Sequence, residues 1–316
     1  MSSKKILSVL LIALVTVLSG TIAFTYRSDL PAEELMQKYV LPASGWMMLH
    51  EQNIHFTDEG IGPAVLLIHG TSSSLHTWNA WTEELKKDHR IIRIDLPGFG
   101  LSGPHPNHNY SEESYHELFE ELRQALRIQK WTVVGNSFGG FLAASYAEQH
   151  PTRTNGLVLV NSSGWPQKNK PFNIFDLAKG PIGNVLIYCT PKMMVERSLQ
   201  KIYGNPEKVN PELVDRHYEL LLFPGNRSAL RGRLNTKYSE WNADRSYQMK
   251  TPTLFIWGEK DPWISLENGQ SWSESFPNST LISFPESGHV PMEEQPLETV
   301  RTYRNWEAQR AKSLGN

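Results

Sequence analysis

Residues 131–140 read WTVVGNSFGG, and this stretch decides the fold. Trp131 to Val134 is a short apolar run of strand type, and Phe138 to Gln149 (FGGFLAASYAEQ) is a small-residue segment of helix length. Between them Gly135, Ser137 and Gly139 make the pattern G-x-S-x-G in a strand-to-helix setting. Such a turn is so tight that the residues two before and two after the serine must be small. The serine is then forced into a strained backbone conformation, with its hydroxyl exposed above the sheet edge. The helix that follows aims its first N–H groups and its dipole at the same place, which favours an oxyanion there. Ser137 is therefore a candidate nucleophile. The competing reading is a glycine-rich structural turn whose serine is incidental.

Working outward, the strand signal recurs. Ala64–Ile68 (AVLLI), Arg90–Ile94 (RIIRI), Leu157–Val160 (LVLV), Thr253–Trp257 (TLFIW) and Thr280–Phe284 (TLISF) are short continuous apolar runs, as expected of strands covered on both faces. Helix-like stretches lie between them, including Glu112–Arg127 with apolar residues at Tyr115, Leu118, Phe119, Leu122 and Leu126, and Pro296–Ala311. Strands alternating with helices predict an α/β fold, a mostly parallel sheet with helices on both faces. Upstream, Ser28–Val40 reads as a helix, and Trp46–Asp58 as two short strands about a turn at Gln52-Asn53. The alternation breaks between Ser163 and Lys250, where helical pieces such as Pro191–Ile202 and Pro211–Leu222 replace strands. The expected organisation is an N-terminal segment (1–27), a helix and hairpin (28–61), a sheet core (62–164 and 249–312) and an inserted helical cap (165–248).

A serine hydroxyl is a poor nucleophile at neutral pH and needs a base, which in turn needs an orienting carboxylate. Asp261 follows the strand Thr253–Trp257, and His289 follows Thr280–Phe284. Open α/β sheets build their sites at such strand ends. The order Ser137…Asp261…His289 is that of the strand–turn–helix serine hydrolases. The competing reading of Asp261, shared by Glu259 two residues before it, is a solvated loop acid, and the loop after Val160 (Asn161-Ser162-Ser163) carries no acid. For the oxyanion, the expected donors are the backbone N–H groups of Phe138 and of Thr71, the latter in the loop after Ala64–Ile68. His69 is expected to support that loop, and Asp95 to shape the turn after Arg90–Ile94. His105-Pro-Asn-His108 has metal-like spacing but no further ligands near it, and reads as a polar loop.

The chain has 316 residues, 39% hydrophobic and 20% charged, with 10 Trp, 11 Tyr and 12 Phe, which excludes disorder over most of its length. A formal net charge of −2 gives no reason to expect a nucleic-acid partner. The single cysteine, Cys189, excludes an intramolecular disulfide framework and an all-cysteine metal cage. No cofactor and no metal ion is expected, and oligomeric state is not readable. Ile6–Phe24 (ILSVLLIALVTVLSGTIAF) is uncharged and follows Lys4 and Lys5. As a helix it would span roughly 28 Å, about a hydrocarbon core. It reads as a single-pass anchor that places residues 6–24 in a lipid bilayer, with the remainder outside the cytoplasm. The alternative is a signal segment cleaved near Thr21 and Ala23, with the protein secreted.

The segments GPAVLLIHG, IIRIDLPGFGLS, VVGNSFGG, LFIWGEKDPW and SGHVPMEEQP together resemble the cap-bearing branch of the α/β-hydrolase superfamily. That resemblance implies an eight-stranded, mostly parallel sheet, with Ser137 as nucleophile, Asp261 as acid and His289 as base. A serine rather than an aspartate nucleophile disfavours dehalogenation and epoxide opening. VVGNSFGG is similar to serine hydrolases that cleave carbon–carbon bonds in aromatic ring-fission products, but Val290 stands where those often carry Trp. The expected activity is hydrolysis of a small to medium apolar carboxylic ester through an acyl-enzyme. The alternatives are carbon–carbon bond hydrolysis and a non-catalytic binding protein. In the cap, Phe172, Ile174, Phe175, Leu186, Ile187, Tyr188, Met193 and Met194 are apolar, and Arg227, Arg231 and Arg233 are basic. These leave room for an acidic group on the substrate, although packing and solvated surface account for most of them.

Overall fold

The structure is a computed structural model, which describes residues 3–168, 171, 174–180 and 183–314. In chain order, helices α1 (Ser3–Thr25) and α2 (Ala32–Tyr39) precede the antiparallel pair β1 (Ser44–Leu49) and β2 (Gln52–Glu59). There follow β3 (Ala64–Ile68), α3 (Asn79–Leu85), β4 (Arg90–Ile94), α4 (Glu112–Ala125), β5 (Trp131–Asn136), α5 (Phe138–Gln149) and β6 (Thr154–Val160). Six helices come next: α6 (Ile174–Lys179), α7 (Gly183–Leu186), α8 (Lys192–Ile202), α9 (Pro211–Leu221), α10 (Asn226–Asn235) and α11 (Ala243–Gln248). The chain then returns to the sheet with β7 (Thr253–Gly258), α12 (Leu266–Ser275), β8 (Ser279–Phe284), α13 (Pro291–Glu294) and α14 (Pro296–Leu314).

The eight strands form one sheet in the order β1-β2-β4-β3-β5-β6-β7-β8. β2 pairs antiparallel with β1 and β4, and every other neighbour is parallel. The apolar runs are continuous because the alternating faces of each strand are both covered. Leu66 and Ile68 join Val133, Tyr115, Phe119, Leu142 and Trp272 on one face, under α4, α5 and α12. Val65 and Leu67 join Val134, Val158, Trp81 and Tyr303 on the other, under α3 and α14. Each such aliphatic side chain, taken wholly out of water, contributes about 1.5–3 kcal/mol. Because β3 and β5 to β8 run the same way, their C-terminal ends meet along one edge. Loops carrying His69, Ser137, Asn161, Asp261 and His289 emerge there.

Two expectations are corrected. The hairpin turn lies at His50-Glu51, not Gln52-Asn53: both residues take positive φ (43° and 65°), and Gln52 is already paired with Leu49. Second, among the described residues no helix is long and apolar enough to cross a membrane, which overturns the bilayer anchor over residues 6–24 and the location derived from it. α1 is a helix, but Ser8, Thr16, Ser19 and Gly20 interleave its apolar residues, and the Thr16 hydroxyl bonds back to the Ile12 carbonyl at 2.9 Å. The segment after α1 instead runs along the inserted helices. Arg27 N–H donates to Tyr188 O (2.8 Å) and Leu30 N–H to Leu222 O (2.9 Å). Of the apolar residues read in the insertion, Phe172 lies outside the described residues.

Candidate active site

Ser137 sits between β5 and α5 with φ 55° and ψ −120°, in a region that costs a non-glycine residue strain energy of order 1–3 kcal/mol. The neighbourhood over-determines it. Its N–H donates to Val160 O (3.0 Å), and its carbonyl accepts from Gly140 (3.0 Å), Phe141 (3.2 Å) and Ser163 (3.0 Å). Glycine is required at 135 and 139 by close approach. A Cβ on Gly135 would lie 2.2 Å from Gly139 O, and one on Gly139 would lie 2.4 Å from His69 O. The loop after β3 packs directly on the turn, since a Cβ on Gly70 would stand 3.0 Å from Ser137 Cβ. Thr71 follows in that loop, and Phe138 is the first residue of α5, whose leading N–H groups have no partner within the helix.

Asp261 and His289 meet. Their Oδ2 and Nδ1 atoms are 2.6 Å apart, with His289 3% and Asp261 7% exposed. The proton's place follows from counting donors. Asp261 Oδ1 accepts from the N–H of Trp263 (2.8 Å) and Ile264 (3.0 Å), and Oδ2 accepts from Asn161 Nδ2 (2.7 Å). A carboxylate so surrounded is an acceptor only, so His289 Nδ1 donates and Nε2 keeps a free lone pair. The indole of Trp263 stands edge-on to the imidazole, ring centres 5.1 Å apart, and limits its rotation.

Four residues that sequence reasoning did not assign hold this pair. Asn161 lies in the loop after β6, which carries no acid. Its Oδ1 accepts from Gly258 N–H (2.8 Å) while its amide reaches Asp261. Asn136, next to Ser137, donates to the carbonyls of Val160 and His289 (3.0 Å each), tying the strand before Ser137 to the histidine loop. Trp263 was legible only as part of a motif. Glu294 accepts from the N–H of Gly288 (2.7 Å) and Gly204 (2.8 Å), and His289 N–H donates to Ile202 O (2.7 Å). The end of α8 therefore braces the histidine loop. Burial pushes the Glu294 carboxyl above its ordinary value, against the pull of those N–H groups.

The supporting residues behave as the sequence suggests. Buried His69 donates from Nδ1 to Gly70 O (2.7 Å), and its Nε2 accepts from Leu96 N–H (3.0 Å), so neither nitrogen is available to a substrate. Burial lowers its pKa. Asp95 accepts from the N–H of Leu75 (2.7 Å) and Leu101 (2.8 Å) and from His55 Nδ1 (2.7 Å). Burial acts to raise its pKa, but the hydrogen bond and charge of His55 outweigh this and hold it at about 2. Glu259 is exposed and accepts from the Ser283 hydroxyl at 2.7 Å. His105 Nδ1 accepts from the N–H of Asn107 (3.2 Å), as a polar loop residue does.

Ser137, Thr71 and His289 line one cavity of about 1130 Å³, counted to its open mouth. The inserted helices roof it with Ile187, Leu199, Ile202, Leu221 and Leu230, so most of its wall is apolar. His217, Arg227, Arg231, Glu293 and Tyr203 are the other ionisable side chains among its described lining. Phe138 lies just behind, stacked under the Arg233 guanidinium at 4.5 Å.

Comparison with known proteins agrees with this architecture. A model of the alpha/beta hydrolase fold matches residues 63–186. An uncharacterized protein of Mycobacterium tuberculosis is 31% identical over 275 residues, covering 82% of this chain and 79% of that protein. Lipase 3 of Moraxella sp. is 27% identical over 292 residues, covering 88% and 85% respectively. The solved structure of a meta-cleavage product hydrolase from Pseudomonas fluorescens superposes with a TM-score of 0.75 at 24% identity, covering 84% of this chain and 97% of that one. With its parallel sheet and the loops gathered at one edge, the chain belongs to the α/β-hydrolase fold family and is a hydrolase of that family.

Proposed function

We propose that this hydrolase cleaves carboxylic esters of small to medium apolar acids or alcohols, with Ser137 as nucleophile, His289 as general base and Asp261 as the orienting carboxylate. One observation carries the reading: a histidine with its Nδ1 proton committed to a fully bonded aspartate at 2.6 Å lines the same apolar cavity as a serine on a strained turn. Ser137 Oγ attacks the ester carbonyl while His289 Nε2 takes its proton. The N–H groups of Thr71 and Phe138 receive the oxyanion. Collapse expels the alcohol with the proton returned by His289, and water activated by the same nitrogen releases the acid. Asp261 holds the tautomer and stabilises the imidazolium without taking the proton. The similarity to a lipase over most of both chains supports the ester reading.

The test is paired. The purified protein should turn over p-nitrophenyl butyrate and become labelled at Ser137 by a fluorophosphonate. Ser137→Ala should lose both, with turnover falling by orders of magnitude. Turnover near the parent's in that variant would sink the assignment. Cleavage of a yellow ring-fission product in place of the ester would move the reading to carbon–carbon hydrolysis. Failure to label with an intact fold would point to a non-catalytic member.

A further inference from the structure

Arg227 and Arg231 stand four residues apart on α10 and both line the catalytic cavity. Residues at i and i+4 share a helix face, so two positive charges face the cavity from one side of α10, an arrangement that favours an anion before them. Arg227 is only 6% exposed. Its Nη2 donates to Asp29 Oδ1 at 2.5 Å, but its Nε and Nη1 have no partner, and neither does Arg231 Nε. An unpartnered buried N–H costs about 1–3 kcal/mol, and more on a charged group. Most of the cavity wall around them is apolar.

The remaining polar groups of the cavity do not resolve the imbalance. Glu293, the one carboxylate among the described lining residues, is engaged by the hydroxyls of Thr77 and Tyr203 and faces Arg216 at 3.5 Å. His217 donates from Nδ1 to Leu213 O (3.0 Å), and burial, with the charge of Arg216, keeps its ring neutral. Arg233, two residues past Arg231, is turned away and covers Phe138. The insertion thus directs two of its three basic residues in this helix into a mostly apolar chamber and leaves three of their nitrogens without a partner.

We infer that Arg227 and Arg231 form an anion subsite, so that the substrate is an apolar ester carrying a second, anionic group, a carboxylate or a phosphate. The inference rests on the ester reading for its catalytic half, whereas the subsite itself is a binding property. A planar carboxylate or a phosphate would accept from Nε and Nη1 of Arg227 and Nε of Arg231 together, as guanidinium groups favour. The alkyl part would lie along Leu221, Leu230 and Ile187 toward Ser137.

The experiment measures binding to Ser137→Ala by calorimetry, so that turnover does not enter. Monomethyl esters of C4 to C10 dicarboxylic acids are compared with the dimethyl esters, and monooctyl phosphate is the phosphate arm. The best half-ester should bind at least tenfold more tightly than its neutral diester, with the advantage shrinking as salt rises. Adding Arg231→Met should remove most of that advantage and leave the diester's affinity within about twofold. Arg231→Lys should keep part of it. Arg227→Met loses the link to Asp29 and is informative only if its unfolding midpoint is unchanged, so Arg231→Met is the deciding variant. Tighter binding of monooctyl phosphate than of any half-ester would assign the anion as phosphate, and the reverse as carboxylate. Equal affinity for half-ester and diester, or an advantage that survives Arg231→Met, overturns the subsite. Arginine-dependent binding without ester turnover by the parent protein would retain the subsite and discard the ester reading.

Discussion

Replacing Asp261 by Asn changes one atom and tests the proposed chemistry closely. The carboxylate accepts from four donors: His289 Nδ1, Asn161 Nδ2 and the N–H groups of Trp263 and Ile264. An asparagine can satisfy two of them with its oxygen, and its NH2 then faces the other two. If the oxygen stays on Trp263 and Ile264, the NH2 opposes His289 and Asn161. Asn161 cannot turn round, because its own Oδ1 is held by Gly258 N–H at 2.8 Å. The imidazole then moves its proton to Nε2, where it faces the nucleophile and can no longer accept. Tautomer reversal of this kind costs on the order of 10⁴ in kcat. If the oxygen turns to His289 instead, two turn N–H groups lose their acceptor, at about 1–3 kcal/mol each. The expectation is that Asp261→Asn lowers kcat on p-nitrophenyl butyrate by ~10³–10⁴ and lowers stability by about 2 kcal/mol or more. Urea unfolding reports the stability, and the rate of fluorophosphonate labelling reports the base. A variant within tenfold of the parent in kcat, with an unchanged urea midpoint, would refute the role given to Asp261.

Asn161→Leu removes one donor from Asp261 and the acceptor from Gly258 N–H, so kcat should drop about tenfold with a loss of about 1–3 kcal/mol on urea unfolding; no change in either would deny Asn161 its bracing role. Gly135→Ala meets only backbone (Gly139 O at 2.2 Å), whereas Gly140→Ala meets the Ser162 side chain at 2.3 Å. Soluble yield and labelling should therefore be recovered by Gly140→Ala/Ser162→Gly but not by any side-chain change paired with Gly135→Ala. His217 has its pKa lowered from 6.5 to about 3, chiefly by burial. The unfolded chain thus takes up this proton first, and the stability tied to the neutral ring is complete above pH 6.5 and lost progressively toward pH 3. Between pH 7 and pH 5 that loss is about 2 kcal/mol, and His217→Gln should flatten the pH dependence of the urea midpoint by that amount. An identical slope in both proteins would contradict it. Ser44→Ala should leave labelling at Ser137 intact while costing about 1 kcal/mol of stability; loss of labelling would implicate the wrong serine.

The core was legible because its strands are buried on both faces and so read as uninterrupted aliphatic runs. Ala64–Ile68 and Arg90–Ile94 match β3 and β4 end to end, and the others lengthen by a few residues where polar ends such as Gly135-Asn136 still pair with β6. The pair Asp261–His289 was legible from strand ends and chain order alone. What holds the pair was not: Asn161, Asn136 and Glu294 act through amide and carboxylate contacts to residues 100, 153 and 90 positions away, and no local pattern marks such contacts. The hairpin turn was misplaced because His50 and Glu51 carry positive φ without being Gly or Asn, so the usual turn signal is missing. The apolar run near the N-terminus predicted an anchor from an absence of charge, but hydroxyl residues and Gly20 between its aliphatic residues lower its apolar character.

The chain contains a second serine–histidine–aspartate series, and its fate explains why residue types alone do not make a catalyst. Ser44 Oγ lies 2.7 Å from His55 Nε2, and His55 Nδ1 lies 2.7 Å from Asp95 Oδ2. As hydrogen bonding, this is a complete relay. Yet Ser44 is an ordinary strand residue, paired with Thr57, and its hydroxyl also accepts from Leu41 N–H at 2.9 Å. His55 is 0% exposed, and neither residue lines the cavity. No helix begins behind Ser44 to offer N–H groups to an oxyanion, and Asp95 spends its other lone pairs shaping the loops at Leu75 and Leu101. The series stitches β1 and β2 to the turn after β4. Ser137 differs in its backbone: the positive φ, the two glycines that let α5 and the β3 loop close on it, and the free leading N–H groups of α5. The reactivity proposed for Ser137 therefore depends on the turn, so a substitution at Gly135 or Gly139 should disable the site as surely as one at the nucleophile itself.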